Sequence, residues 1–322
     1  MKERTNMEQQ FGQVPPMTPE NYGKRIWHLW GPIVIKWAIA ISVSMISSGI
    51  FTMMYMVANQ DMSMAAMQSE EQMMNLYDSI MEQFIGFSTA IEGVAALVTI
   101  PVMLVLFHKD RVRERMTGFI PNKKAPLWKY AAGLLMALAM SLGLNNLIII
   151  GNLSDISDSY QATMEAFYAS SLPVQIIVLG ILMPMSEELV FRGLLFKRLR
   201  ERGTYLQSAL YSALVFGFMH MNLVQMTYGF VLGMMLAYFY EKYGSVKAPI
   251  AAHIAMNLLS VFATKFELLD WLIEDHMRIG IVTVACAFVA STMFVLVQRI
   301  DERPDVPGTS KENENLASAR DM

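Results

Sequence analysis

The sequence is poor in cysteine and in charge, and each shortage excludes a class of protein. Its one cysteine, Cys286, stands in an apolar run, so neither an internal disulfide nor a cysteine-rich zinc site can form. Only 16% of the 322 residues are charged while 54% are hydrophobic, which leaves too little polar surface for a soluble globule. A formal net charge of -3 gives no overall basic field, which argues against a nucleic-acid partner.

Several familiar signals are also missing. We find no internal repeat, no glycine-rich phosphate loop and no HExxH zinc-protease spacing. Residues 1–29 lack the apolar core of a cleavable signal and are predicted to be a cytoplasmic segment, so the first helix is expected to act as its own insertion signal. Residues 299–322 are polar, contain two prolines, and are predicted to form a disordered cytoplasmic tail.

The chain between these ends, residues 30–298, is predicted to be the membrane domain. About twenty apolar residues cross a hydrocarbon core of roughly 30 Å, and several stretches reach that length. The pattern predicts an all-α, polytopic membrane bundle of about eight transmembrane helices. The expected spans are 31–58, 84–107, 130–151, 173–196, 206–220, 224–240, 246–263 and 279–297.

Lysine and arginine are distributed unevenly between the loops. They are concentrated in the loops that follow the second and fourth spans, whereas residues 61–82 and 155–165 contain acids and neither of these bases. Short loops rich in lysine and arginine stay in the cytoplasm, so both termini are predicted to be cytoplasmic. We therefore expect an integral protein of the bacterial plasma membrane, with membrane lipid as its surroundings.

Ionisable side chains inside apolar spans are costly, so each needs a partner, an aqueous cavity or a function. Three of the predicted spans concentrate such groups. They hold Glu187, Glu188, Arg192, His220, His253 and Asn257. These residues are the candidates for chemistry.

Helix geometry separates the two adjacent acids, because consecutive residues point about 100° apart. Glu188 and Arg192 are spaced i to i+4, so they share a face and are expected to form a bidentate ion pair. Glu187 is left without that partner. A carboxylate placed beside a cavity of low dielectric is suited to accept a proton from water.

The two histidines have partners at the same helical spacing. His253 and Asn257 can converge on one point and offer N–H donors, as an oxyanion site requires. Phe216 shares a face with His220, so its ring is expected to orient the imidazole. We predict that Glu187, His220, His253 and Asn257 converge on one polar cavity.

Each group also has a purely structural interpretation. A buried pair such as Glu188 and Arg192 is often only structural, and a histidine near a helix end is usually interfacial. Lys36 is expected to reach the headgroups from the first span. Glu92, deep in the second span, could face the same cavity or be hydrated at the surface. The methionine-rich segment from Met62 to Met81 has rough amphipathicity and could lie on the outer surface.

At these residues the sequence resembles the CAAX prenyl endopeptidases and their bacterial relatives linked to bacteriocin processing and self-immunity, the CPBP or Abi group. Three motifs match in order within about 173–263. EELVFR at 187–192 fits EExxxR, FGFMH at 216–220 fits FxxxH, and HIAMN at 253–257 fits HxxxN. The ordered triple is far more specific than any one motif.

The resemblance implies an intramembrane endopeptidase acting on a membrane-associated peptide or protein. It implies that Glu187 and His220 activate water, that His253 and Asn257 stabilise the oxyanion, and that Glu188 and Arg192 are structural.

Other interpretations stay open. The fold could serve a non-catalytic scaffold or self-immunity factor, or a small transporter, although the latter predicts repeated halves that we do not find. A divalent metal such as zinc could be held by Glu187, His220 and His253, or the same groups could activate water without it.

Overall fold

A computed structural model describes residues 19–116, 124–153, 157–201 and 203–300. In these ranges the chain is helical and contains no strand, which confirms the all-α fold class. The helices, numbered here in chain order, are α1 (Pro19–Ala58), α2 (Gln60–Ala65), α3 (Glu70–Met116), α4 (Tyr130–Ile150), α5 (Asp158–Tyr168), α6 (Leu172–Arg200), α7 (Tyr205–Phe218), α8 (Leu223–Tyr243), α9 (Lys247–Lys265), α10 (Leu268–Ile273) and α11 (His276–Gln298). The predicted tail beyond residue 300 and most of the predicted N-terminal segment lie outside the described residues.

The predicted number of eight spanning helices is not confirmed. Among the described helices, six are long and apolar enough to cross a membrane, namely α1, α3, α4, α6, α8 and α11. Helix α7 has 14 residues, about 21 Å, which is shorter than a hydrocarbon core of roughly 30 Å. Helix α9 has 19 residues but includes His253, Asn257 and two terminal lysines. Helices α7 and α9, which are not among these six candidate spans, therefore belong to the part of the chain where the polar candidate residues are concentrated.

The chain segments predicted to be cytoplasmic meet at one end of the bundle, here called the basic end. Ion pairs and a hydrogen bond join α3, α6, α8 and α11 there. The contacts are Arg198–Asp110 (2.7 Å), Arg113–Glu201 (3.1 Å), Arg200–Glu241 (2.9 Å), and Lys242 Nζ donating to the Gln298 carbonyl (2.9 Å). The alternation of loop charge along the sequence therefore corresponds to a spatial separation of the two ends.

At the opposite end, the short helix α5 lies against α3. Thr89 Oγ1 donates to the Phe167 carbonyl at 2.8 Å, and Ser88 Oγ donates to the Ala166 carbonyl at 2.9 Å. Helix α3 has 47 residues, about 70 Å, so it extends well beyond a bilayer core. The methionine-rich segment is divided between α2 and the first turns of α3.

A cysteine placed at each end tests the orientation. We expect a membrane-impermeant maleimide to label Ser157→Cys, before α5, from outside intact cells, because this residue is at the end away from the basic loops. The matched variant Arg115→Cys, exposed near the end of α3, should react only after the cells are opened. Labelling of Arg115→Cys alone in intact cells would contradict the predicted orientation.

Candidate active site

The two adjacent acids lie on an irregular helix. Within α6, an α-helical turn at Met183–Glu188 is flanked by π-helical segments at Val178–Leu182 and Leu189–Phe196. Segments with i to i+5 hydrogen bonding are rare and often occur at functional sites. The acids therefore lie between two local widenings of the helix, which reasoning from an ideal helix does not anticipate.

Glu188 is completely buried and its Oε1 accepts two hydrogen bonds. Arg192 Nη1 donates at 2.7 Å and His253 Nδ1 donates at 2.9 Å. Arg192 Nη2 instead donates to the Gly233 carbonyl at 3.1 Å, so the predicted bidentate ion pair is wrong. The guanidinium also lies 4.5 Å from the centroid of the Phe216 ring. Glu188 and Arg192 thus connect α6 to α7, α8 and α9.

The side chain of Glu187 points in a different direction from that of Glu188, as the angle between consecutive helical residues requires. Its Oε1 lies 3.4 Å from Lys36 Nζ, and its Oε2 lies 4.0 Å from His253 Nε2. The expectation that Lys36 reaches the lipid headgroups is wrong, because an ammonium inside the bundle is better stabilised by a carboxylate within reach than by apolar surroundings.

One hydrogen bond of His220 indicates which ring nitrogen carries the hydrogen when the imidazole is neutral. Its Nδ1 lies 3.0 Å from the Phe216 carbonyl oxygen, which can only accept, so Nδ1 carries the hydrogen and Nε2 keeps its lone pair. The Phe216 ring packs edge-on against this imidazole at 5.0 Å between centroids, and against His253 at 5.9 Å. Phe216 therefore packs beside both histidines and beside the Arg192 guanidinium.

His253 and Asn257 are both held by protein groups. Neutral His253 donates from Nδ1 to Glu188, which leaves its Nε2 as an acceptor, so it can stabilise an oxyanion only when doubly protonated. Asn257 Nδ2 donates to the Leu179 carbonyl at 2.9 Å. That bond uses one of the two amide hydrogens and fixes the orientation of the side chain.

The four candidate residues line a single cavity of about 650 Å³. It extends from Phe191 and Leu236 in the interior to Tyr168 and Thr264 near the end opposite the basic end. Several polar residues outside the three motifs also line this cavity, and for Glu92 this is one of the two alternatives that the sequence left open. These are Lys36 on α1, Glu92 on α3, Asn145 on α4, and Gln225 and Tyr228 on α8. The sequence signal for Lys36 and Glu92 is that each is an ionisable residue within an apolar span. No sequence spacing connects either residue to the motifs.

The two neighbouring asparagines of α4 behave differently from each other. Asn146 Nδ2 donates to Thr283 Oγ1 of α11 at 3.1 Å, a hydrogen bond between helices of the kind that polar side chains commonly form in membrane proteins. Asn145 Nδ2 donates to the Ser141 carbonyl of its own helix at 3.0 Å, and its side chain also hydrogen-bonds to Tyr228 of α8.

The three residues suggested as metal ligands do not form a ligand set in this arrangement. In the described parts of the chain, no group of three or more His, Cys, Asp or Glu side chains could hold a metal ion. Glu187 Oε1 lies 3.4 Å from the Lys36 ammonium, and Glu187 Oε2 lies 4.0 Å from His253 Nε2. We therefore derive no chemical step through a metal.

Close helix packing beside His220 depends on two glycines. A Cβ on Gly217 would lie 2.6 Å from the Met226 carbonyl oxygen, while a Cβ on Gly229 would lie 3.4 Å from the His220 ring.

We expect Gly217→Ala to push α7 from α8 and to destabilise the protein by about 1–3 kcal/mol, the usual cost of overpacking. Thermal unfolding in detergent measures this. Gly86→Ala, where the Cβ meets nothing within 4 Å, is the control, and equal effects would contradict the packing argument.

The fold and the site define an integral membrane protein with a central helical domain whose polar residues enclose a cavity. Residues 169–259 match the family model described as "Type II CAAX prenyl endopeptidase Rce1-like". This match confirms the resemblance seen in the three motifs, and residues 169–259 are similar to Rce1-like domains. The chain is also 26% identical over 176 residues to "Putative membrane peptidase YdiL" of Bacillus subtilis (strain 168), covering 55% of this chain and 70% of the relative. No solved structure matches the chain.

Proposed function

We propose that this protein is an intramembrane endopeptidase that hydrolyses a peptide bond in a membrane-associated peptide or protein. The observation that carries the proposal is the cavity itself. It places the Glu187 carboxylate with His220, His253 and Asn257 inside an apolar bundle, where each such group is costly unless it is used. The match to the Rce1-like family model and the similarity to a protein named as a membrane peptidase support the same activity.

In the proposed reaction Glu187 and His220 activate a water molecule. The Nε2 lone pair of neutral His220 and the Glu187 carboxylate both lie in the cavity and can accept a proton or a hydrogen bond from this water. The water oxygen attacks the carbonyl carbon of the scissile bond and its proton passes to Glu187. The carbonyl oxygen becomes an oxyanion. Transfer of the proton from Glu187 to the departing amine nitrogen completes hydrolysis and restores the carboxylate.

In this proposal His253 and Asn257 stabilise the oxyanion. In its doubly protonated form His253 donates from Nε2 while its Nδ1 stays bonded to Glu188. The second amide hydrogen of Asn257 is the other donor, because the first is bonded to the Leu179 carbonyl. In this proposal Glu188, Arg192 and Phe216 are structural residues that hold the donors and His220 in place.

The proposal also includes the membrane, the orientation and the partners of the protein. We place the protein in the bacterial plasma membrane with both termini in the cytoplasm, since the basic end gathers the lysines and arginines of the loops. The partners are membrane lipid and the peptide or protein substrate.

The test is cleavage of a set of apolar, membrane-associated peptides by the purified protein in detergent, with products identified by mass spectrometry. We expect defined fragments with the wild type and none with Glu187→Ala. Glu165→Ala, an exposed acid on α5, is the matched control and should cleave normally. Peptides that bind to folded wild-type protein and are never cut would instead indicate a non-catalytic binding protein.

A further inference from the structure

Two ionisable residues enter the site from helices outside the segment that matches the Rce1-like family model. Lys36 belongs to α1 and Glu92 to α3, and both side chains line the cavity that contains Glu187. Lys36 Nζ lies 3.4 Å from Glu187 Oε1 and 5.6 Å from the centroid of the Phe191 ring. The side chain of Lys36 is 23% exposed and that of Glu187 is 14% exposed, so their pairing is largely shielded from the surroundings.

The charges of this group decide its behaviour. Glu188 and Arg192 form a separate buried pair, whose net charge is zero. The other charged side chains in the cavity are the Glu187 and Glu92 carboxylates and the Lys36 ammonium, joined by the His253 imidazolium of the proposed reaction. Glu92 interacts electrostatically with Lys36 and Glu187, and Glu187 interacts with Lys36 and His253. Without Lys36, two carboxylates would share an apolar cavity, and like charges in such a place hold a proton more tightly.

We propose, building on the proposed function, that Lys36 is a positioning residue that keeps Glu187 ionised and correctly placed, and that Glu92 keeps Lys36 paired during turnover. When Glu187 accepts the proton of water it becomes neutral and Lys36 loses that partner. Glu92 then supplies the negative charge. When the proton passes to the departing amine, Glu187 is ionised again and the original pairing returns. No proton is gained or lost over the cycle apart from those of water and the products.

The pairing also explains why α1 belongs to the site. This helix is mostly exposed at its apolar positions, so packing alone holds it weakly against the rest of the bundle. A purely structural alternative follows: the ion pair could serve only to attach α1 to α6. The two roles predict different results, because attachment alone changes stability, whereas positioning a charge changes how activity depends on pH.

Other titratable groups face Glu187 and contribute to any pH profile. They are Glu188 and Arg192 on its own helix, Tyr160 and Tyr168 on α5, His220 after α7, Tyr228 on α8 and His253 on α9. Removing a cation from this cavity raises proton affinity at every acceptor, and removing an anion lowers it. The direction of the effect therefore does not depend on which group defines the acidic limb of the profile.

The experiment measures kcat and KM against pH, with thermal unfolding, for the full-length protein in detergent. We expect Lys36→Met to move the acidic limb of kcat upward by about one pH unit, or about tenfold in rate at a fixed pH on that limb. Glu92→Gln should move the limb to lower pH. The double variant should return it toward the wild-type position, and Lys36→Arg should preserve it because the charge remains.

Each outcome has one meaning. An unmoved limb in Lys36→Met, with loss of thermal stability only, would overturn the positioning role and leave attachment of α1 as the function of the pair. A limb that moves in the same direction for Lys36→Met and Glu92→Gln would also overturn it. Wild-type protein that folds and never cleaves would instead contradict the proposed function itself.

Discussion

Replacing Glu187 with glutamine is expected to reduce peptide cleavage by about 10²- to 10⁴-fold, the usual contribution of a general base. Glutamine keeps the volume and hydrogen-bonding capacity of the side chain but cannot accept a proton from water. The Lys36 ammonium still has Glu92 within the same cavity, so the charge balance survives. Thermal stability and expression should therefore change little.

Single-turnover cleavage and melting temperature, measured on the same preparations, check this expectation. Glu165→Gln, on the exposed face of α5, is the control for loss of an acid outside the cavity. Near wild-type cleavage by Glu187→Gln would mean that another group takes the proton. A large fall in melting temperature would mean that Glu187 is structural.

The neighbouring change, Glu188→Gln, should fail in the opposite way. Arg192 would remain as a buried cation without a carboxylate partner, in contact with the Gly233 carbonyl, the Phe216 ring and the neutral amide of the new glutamine. Breaking a buried pair by removing one member typically costs about 3–5 kcal/mol. We expect the melting temperature to fall first, and activity to decline as a consequence of unfolding.

The paired variant Glu188→Met with Arg192→Met should recover part of this stability, because both desolvation costs are removed together. Recovery should be incomplete, since the His253 Nδ1 hydrogen and the Gly233 carbonyl would lose their partners. Melting temperatures of the single and double variants decide the matter. A double variant less stable than Glu188→Gln would contradict the view that the uncompensated charge is the main cost.

Much of the site follows from short-range helix geometry. The different surroundings of Glu187 and Glu188 follow from the angle of about 100° between consecutive helical residues. The packing of Phe216 against His220 and the Glu188–Arg192 pairing follow from i to i+4 spacing. These relations lie within one helix or its immediate continuation, so they require no knowledge of how helices pack.

What could not be predicted depends on contacts between distant helices. The second partner of Glu188 is His253, 65 positions away, and the partner of Glu187 is Lys36, 151 positions away. No spacing rule connects such residues. The expected bidentate guanidinium failed for the same reason, because the Gly233 carbonyl on α8 competes for one Nη group.

Hydropathy explains the uncertainty in the helix count. Helix α7 is short, and α9 contains His253 and Asn257, so the residues that form the site also weaken the signal for a spanning helix. The π-helical segments of α6 are likewise invisible to an apolar-run criterion. The motif-bearing helices are therefore the ones whose limits sequence analysis defines least well.

The central claim is that water attacks the scissile carbonyl directly, activated by Glu187. The measurement that tests it most directly is a single turnover in H₂¹⁸O, with enzyme in excess over peptide and all species weighed by mass spectrometry. We predict one ¹⁸O in the new carboxyl terminus, unmodified protein at every time point, and product formation slowed by about 10²- to 10⁴-fold with Glu187→Gln. Protein mass increased by a peptide fragment during turnover would show an acyl-enzyme and contradict the account.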